Sequence, residues 1–515
     1  MEFFFSKLIP SISPTMSIIT LLFFILILKK IKSQKSPKLP PGPWSIPLLG
    51  SMHHLLGYIP HQRMRDLSKI HGPIMHLKFG ETSNIIISSP EIAKHIYKTH
   101  DINFSQRPLM LSAQGISYDY KDITFAAYGD YWRQLRKIST MELLTLKRVR
   151  SFRTIREEEA EFLVQSIASS EQGKPVNFSW LITYTIYRIV SRAAFRKIWH
   201  KEDVFLGCLK KLKMELGRGV SIADAYPSIK WLRKFSSIKA RADKLQEPID
   251  NIFQAILDEH KRARKGEISK TSVNDDEKVE DLVDVLLNLQ EEGGFEFPLE
   301  DDTIKAMIMD AFVAGTDTSS TAIVWGMAQL MRHPKVLAKV QAEIRKKYNA
   351  KGTVDEENLQ ELEYFSLVVK ETLRLHPPAP LLVPRECRES VEIAGYDIPA
   401  KSKIMVNVWA MARDESIWED AAEFKPERFQ GSSLDYKGNN YEYIPFGAGR
   451  RICPGITLGI ANIELPFAKL LFHYDWKLGE GMKPEDVDME EDIGASAKRK
   501  NDLYIYAVPY VPPTP

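Results

Sequence analysis

The stretch Phe446–Gly455, FGAGRRICPG, places a cysteine among glycines and behind two arginines, in a chain whose only cysteines are Cys208, Cys387 and Cys453. A thiolate can act as nucleophile, redox centre or metal ligand. The nucleophile reading wants a nearby general base, which the sequence leaves open. No CxxC pair exists, which removes zinc-ribbon and thioredoxin-type sites. A single thiolate holding a haem iron fits the loop better. Glycines let the backbone approach a flat macrocycle and turn N–H groups toward the sulfur. In that reading Cys453 is the metal ligand, Arg451 pairs with a haem propionate and Phe446 packs near the ring.

Three further constellations could serve the same site. In KETLRLHPP, Glu371 and Arg374 are three apart and share one helical face. In AFVAGTDTSS, Ala311–Ser320, one glycine and several hydroxyl residues interrupt a helical pattern. Such hydroxyls bond back to carbonyls, so a distorted helix is expected there. Asp317 and Thr318 place an acid and a hydroxyl side by side in this stretch, a pair suited to proton transfer. In YWRQLRK, Trp132 and Arg136 are four apart on one face, with Arg133 and Lys137 turned to solvent. The forked guanidinium groups of Arg136 and Arg451 match carboxylates.

Phe446, Gly449, Arg451, Cys453 and Gly455 form F-x-x-G-x-R-x-C-x-G, which resembles the cysteine loop of the cytochrome P450 family of haem-thiolate monooxygenases. The resemblance extends over essentially the whole chain. It implies a structural triad of Glu371, Arg374 and Arg428, the last from PERF at Pro426–Phe429. Ala314, Gly315, Asp317 and Thr318 match the family's A/G-G-x-D/E-T pattern, with Asp317 and Thr318 as catalytic residues. Trp132, Arg136, Arg385, Phe446, Arg451 and Cys453 correspond to cofactor-binding positions. The cofactor implied is haem b, with O2 as co-substrate. No G-x-G-x-x-G or Walker pattern is present, so electrons are expected from elsewhere, and the resemblance implies NADPH acting through a separate membrane-bound NADPH–cytochrome reductase. Arg133, Lys137, Lys147, Arg148, Arg150 and Arg450 offer a basic surface to such a partner. The motif forms look most like plant microsomal A-type members, the seventy-one clan.

Substrate-contacting stretches of the family fall at 111–125, 311–318, 379–383 and 493–497 of this chain. Ile116, Phe312, Ala314, Ala379, Leu382 and Ile493 are then expected to line a mostly apolar pocket, with Asp310 and Asp119 as polar exceptions. Terpenoids fit this subgroup best, and alkaloids, phenylpropanoids and fatty-acid derivatives remain open. Two other functions compete with a monooxygenase. A haem-thiolate isomerase or dehydratase of a peroxide would need no reductase, but such enzymes typically lack the acid–threonine pair. A non-catalytic haem-binding membrane protein would need no proton relay. One departure from the family is Arg196 in AAFRKIW, where relatives often carry glycine. It implies a local change near a helix end.

The elements that must position these residues are mainly helical. Helical periodicity marks 60–70, 131–140, 147–167, 249–262, 302–331 and 364–375, with β-rich runs at 85–88 and 403–409. The polar segment 265–280 reads as a solvated loop. The expected fold is mainly α with minor β, as one large haem domain over 51–515. With 44% hydrophobic residues the chain can bury a large core, and a net charge of +3 gives no bulk attraction to nucleic acid. Ahead of the domain, residues 8–28 carry no charge and are long enough to span a bilayer. Lysines follow this run where a signal peptide would have a small-residue cleavage site. Residues 1–30 are therefore expected to be a single-pass anchor in the endoplasmic reticulum membrane, held by lipid. The positive-inside rule leaves the domain facing the cytosol. Residues 31–50, basic and then proline-rich, form a stiff hinge.

Overall fold

The computed structural model describes residues 37–171, 173–198, 202–217, 221–266 and 280–511. The expected anchor, the start of the hinge and most of the polar segment 265–280 lie outside the described residues. Among those described, no helix is long and apolar enough to cross a membrane.

The longer helices are α1 (Pro60–His71), α2 (Asp130–Ile138), α3 (Arg153–Ala168), α4 (Phe178–Phe195), α5 (Glu202–Gly217), α6 (Ser237–Arg264), α7 (Leu282–Glu292), α8 (Asp301–Arg332), α9 (Pro334–Tyr348), α10 (Glu363–Leu375) and α11 (Ile456–His473). The minor β structure is a four-stranded sheet and two smaller ones. In the larger sheet β1 (Ile74–Phe79) pairs antiparallel with β2 (Thr82–Ile87), and β2 runs parallel to β4 (Lys403–Val406). The edge strand β3 (Arg385–Glu386) then pairs with β4 and brings Arg385 to the site.

The organising element is α8. Its 32 residues extend about 48 Å at the α-helical rise. It is buried on nearly every face, polar residues such as Lys305, Asp317 and Gln329 included. It packs most extensively on α4 and α11. Asp301 and Asp302 occupy its first turn, where acids complement the helix dipole, and Lys261 holds Asp301 at 2.7 Å. It stops because Pro334 lacks the N–H to continue it and instead opens α9.

Several expectations are modified. The pattern over 147–167 is two helices, because buried Phe152 leaves helical geometry between Leu146–Ser151 and α3. The run 403–409 is a strand only to Val406. Asn407 then caps a short helix, Val408–Met411, by accepting from the Ala410 N–H at 3.0 Å. Through 314–321 α8 runs unbroken, contrary to the distortion expected. Thr318 Oγ1 donates to the Ala314 carbonyl at 2.6 Å, a bond satisfied within the turn. Arg196 ends α4 in the left-handed region at φ +60°, a position that favours glycine. Its guanidinium faces Asp281 and Asp284.

Candidate active site

One cavity carries the chemistry. It is lined by Cys453, Phe446 and Gly455 of the cysteine loop and by Ala314, Gly315 and Thr318 of α8. Ala379, Leu382 and Val383 line it too, as do Ile123 and Thr124. The cysteine loop is held by its own backbone, with the Cys453 N–H donating to the Phe446 carbonyl at 3.0 Å. The Phe446 ring meets Tyr436 edge-on at 5.5 Å. Burial pushes the Cys453 thiol up, while the Gly455 N–H and Arg136 act in the opposite direction.

Four guanidinium groups line this cavity: Arg107, Arg136, Arg385 and Arg451. Each is fastened by carbonyls. Arg451 donates to Ser105 at 2.9 Å, Ala126 at 2.7 Å and Ile123 at 3.2 Å, and lies 4.1 Å over the Trp132 ring. Arg136 donates to Ile452 at 2.6 Å, and Trp132 Nε1 to Ile123 at 3.0 Å. Arg107, which no motif singled out, donates to Thr124, Val383 and Pro384. Burial and mutual repulsion bring Arg451 down to about 8 and Arg107 to about 9. Among the cavity-lining residues Asp310 is the one carboxylate, and it is committed elsewhere. It accepts from the Ile123 N–H at 2.9 Å and from Thr124 Oγ1 at 2.8 Å. Burial raises it to about 6, close to Asp122, which burial also raises. Crowded, desolvated cations that line a cavity together with a thiol are a site in want of an anion. A macrocycle with two carboxylates and a metal seeking sulfur matches that donor set, so the residues present fit haem.

Thr318 faces the cavity and Asp317 does not. Asp317 is buried on another face of α8, where Lys213 of α5 meets it at 2.8 Å, Lys498 also meets it, and Ser496 Oγ donates to it at 2.7 Å. Burial alone would raise this carboxyl, but the two lysines hold it well below the usual carboxylate range.

Glu371, Arg374 and Arg428 come together away from the cavity. Arg374 grips Glu371 through two bonds, at 2.7 and 2.8 Å, and Arg428 Nε adds a third at 3.0 Å. Glu371 and Arg374 have no exposed side-chain surface. The remaining donors of both arginines go to backbone carbonyls of 412–423. The segment that leads to the cysteine loop is thereby tied to α10.

Of the six pocket residues expected from sequence, Ala314, Ala379 and Leu382 line the cavity. The other three do not. Phe312 points into an aromatic cluster with Tyr187, Phe195, Phe205 and Phe253, at ring distances of 4.9–6.1 Å. It lies two residues before Ala314, which places the two on different helical faces. Ile116 is buried in the core, on a short helix packed against α6. Ile493 is 58% exposed in a surface loop. Helical spacing shows that Phe312 and Ala314 cannot share a face but not which of them faces the cavity, and no signal in the sequence warns of Ile116 or Ile493.

The family model of cytochrome P450 matches residues 40–505, and the chain belongs to that family. Its residues are 57% identical to those of Cytochrome P450 71D445 of Euphorbia lathyris over 96% of each chain. Identity with Premnaspirodiene oxygenase of Hyoscyamus muticus is 49%, over 96% of this chain and 98% of that one. A solved structure of a zebra fish cytochrome P450 with progesterone shares the fold, with a TM-score of 0.73 at 22% identity, over 88% of this chain and 99% of that one. The protein is a cytochrome P450 monooxygenase of the plant seventy-one clan. It uses haem held by a cysteine thiolate, O2, and NADPH-derived electrons delivered by a reductase.

Proposed function

We propose that the protein hydroxylates or otherwise oxidises a terpenoid hydrocarbon at the endoplasmic reticulum membrane. The observation that carries this is that Cys453 and Thr318 line one cavity together with many apolar side chains. Substrates with few polar groups are held there by shape. The name of one relative, Premnaspirodiene oxygenase, supports a hydrocarbon substrate.

The haem would be held by Cys453, with Arg107, Arg136, Arg385, Arg451 and Trp132 available to its carboxylates and Phe446 beside the ring. When bound, it supplies the activation of O2. The protein's own part is positioning and proton handling. Ala314, Ala379 and Leu382 orient the substrate and exclude water. Thr318 Oγ1 now donates to the Ala314 carbonyl, and rotation about its side chain re-aims that proton into the cavity. Asp317 is held ionised behind the helix by Lys213 and Lys498, and accepts and returns a proton when one lysine lets go.

The anchor over 1–30, the hinge over 31–50 and the haem domain over 51–515 belong to the same reading. It is supported by a patch of exposed apolar side chains formed by Trp44, Leu48 and Leu56 with Ile222, Trp231 and Phe235. The two segments adjoin, since the Tyr226 hydroxyl donates to the Leu48 carbonyl. An exposed apolar surface that includes residues following the N-terminal apolar run closely in sequence suits lipid. Exposed Lys137, Lys147, Arg150 and Arg450 suit an acidic reductase surface.

The test is a turnover of sesquiterpene hydrocarbons with reductase, NADPH and isotopically labelled O2. One labelled oxygen atom per product supports the reading. Product formed from an organic peroxide, and none from O2 and NADPH, would replace it with the isomerase alternative.

A further inference from the structure

Asp101 belongs to no motif of the sequence, yet it is built into the cysteine loop. It follows the short helical segment His95–Thr99. Its Oδ2 accepts from the Arg450 N–H at 3.0 Å, with the Arg450 guanidinium 3.5 Å away. Its Oδ1 accepts from Arg385 Nη1 at 3.1 Å. The same guanidinium donates through Nη2 to the Ala448 carbonyl at 2.7 Å, so Arg385 bridges the carboxylate and the loop. The backbone closes a second ring. Ser105 Oγ donates to the Asp101 carbonyl at 2.6 Å, and the Ser105 carbonyl accepts from Arg451 Nε at 2.9 Å.

Gly449 shows how tightly this carboxylate is seated. A Cβ there would come within 2.6 Å of Asp101 Oδ1 and 2.6 Å of the Tyr97 carbonyl, and the residue has φ +67°. The glycine is required by the carboxylate's approach as well as by the turn. The side chain of Asp101 is only 14% exposed, so its charge-assisted bonds are largely desolvated. Without it Arg385 would face Arg107 and Arg451 with no carboxylate at its Nη1. The turn Asp101 holds ends two residues before Cys453.

We propose that Asp101 is a positioning residue for the haem site, acting through the Arg450 N–H and Arg385 to fix where the Cys453 thiolate and the Arg385 guanidinium are presented. It touches neither substrate nor reacting atoms.

The test uses the full-length haem-loaded enzyme with Asp101→Asn and Asp101→Ala. Asparagine keeps an acceptor for the Arg450 N–H and loses the charge that pairs with Arg385. Two readouts report on the site itself: the rate of haem transfer to excess apomyoglobin, and the share of the reduced carbon-monoxide adduct in the red-shifted thiolate band. Haem release should be roughly tenfold faster in Asp101→Ala and intermediate in Asp101→Asn, the size expected for a lost charge-assisted hydrogen bond. The thiolate band should give way in part to an unshifted one in protein that remains folded by circular dichroism. If Asp101→Ala does not fold, Asp101→Asn decides by the same readouts. Wild-type release rate and band share in the folded variants, whatever their melting temperature, would overturn the proposal.

Discussion

At the scale of single residues, the site divides into side chains that face the cavity and side chains that hold those in place. Thr318 is of the first kind. Thr318→Ala removes a hydroxyl and little volume, so the fold should stand while proton delivery fails. Product per NADPH consumed should fall by about an order of magnitude or more, with the missing electrons recovered as peroxide. An unchanged product-to-NADPH ratio would refute the role given to Thr318. Glu371 is of the second kind. Glu371→Gln leaves Arg374 fully buried and Arg428 nearly so, without their counter-charge. Breaking such a pair costs about 3–5 kcal/mol, so the variant should lose most of its folded, haem-loaded yield. Expression at the wild-type level with normal haem content would show that the triad is dispensable. The sequence made both kinds legible where a motif fixed the spacing, as for Cys453 and the Glu371–Arg374 pair. Arg107 and Asp101 were not legible. Their roles depend on carbonyls and N–H groups that converge from segments hundreds of positions apart.

At the scale of elements, helix position was easier to read than helix ends. Long periodic patterns located α8 and α10 closely. Breaks such as Phe152 and Asn407 were missed, because a buried aromatic or a capping amide acts against a pattern that otherwise continues. Face assignment failed for Phe312, since a helix buried all round gives no polar face to mark its inward side. Arg196 is the informative exception. The expected change near a helix end is a non-glycine residue in a left-handed C-terminal cap. Arg196→Gly should relieve that strain at the expense of half-exposed ion pairs, which are worth little. Arg196→Val, β-branched and uncharged, should be less stable than Arg196→Gly by about 1–2 kcal/mol. Their thermal inactivation midpoints measure this, and a valine variant as stable as the glycine one would contradict the strain account.

At the scale of the whole molecule, the fold joins a thiol-bearing loop, a long helix and a patch of cations that lie far apart in the chain. Class and chemistry were legible because the cysteine loop is a local sequence signature, whereas Ile116 and Ile493 were misplaced because pocket walls depend on how segments distant in sequence pack together. The exposed apolar patch is a property of this scale too. Charged substitutions at Trp231 and Phe235 should weaken vesicle binding of protein lacking residues 1–30 and leave the haem spectrum unchanged. Full binding after both substitutions would assign the patch another role. The central claim is that Cys453 supplies the thiolate that holds haem. The carbon-monoxide difference spectrum of the reduced protein tests it most directly, comparing wild type with Cys453→Ser. A strongly red-shifted Soret band in wild type and none in the variant is the predicted result. Wild type without haem, or a shifted band that survives the loss of Cys453, would contradict it.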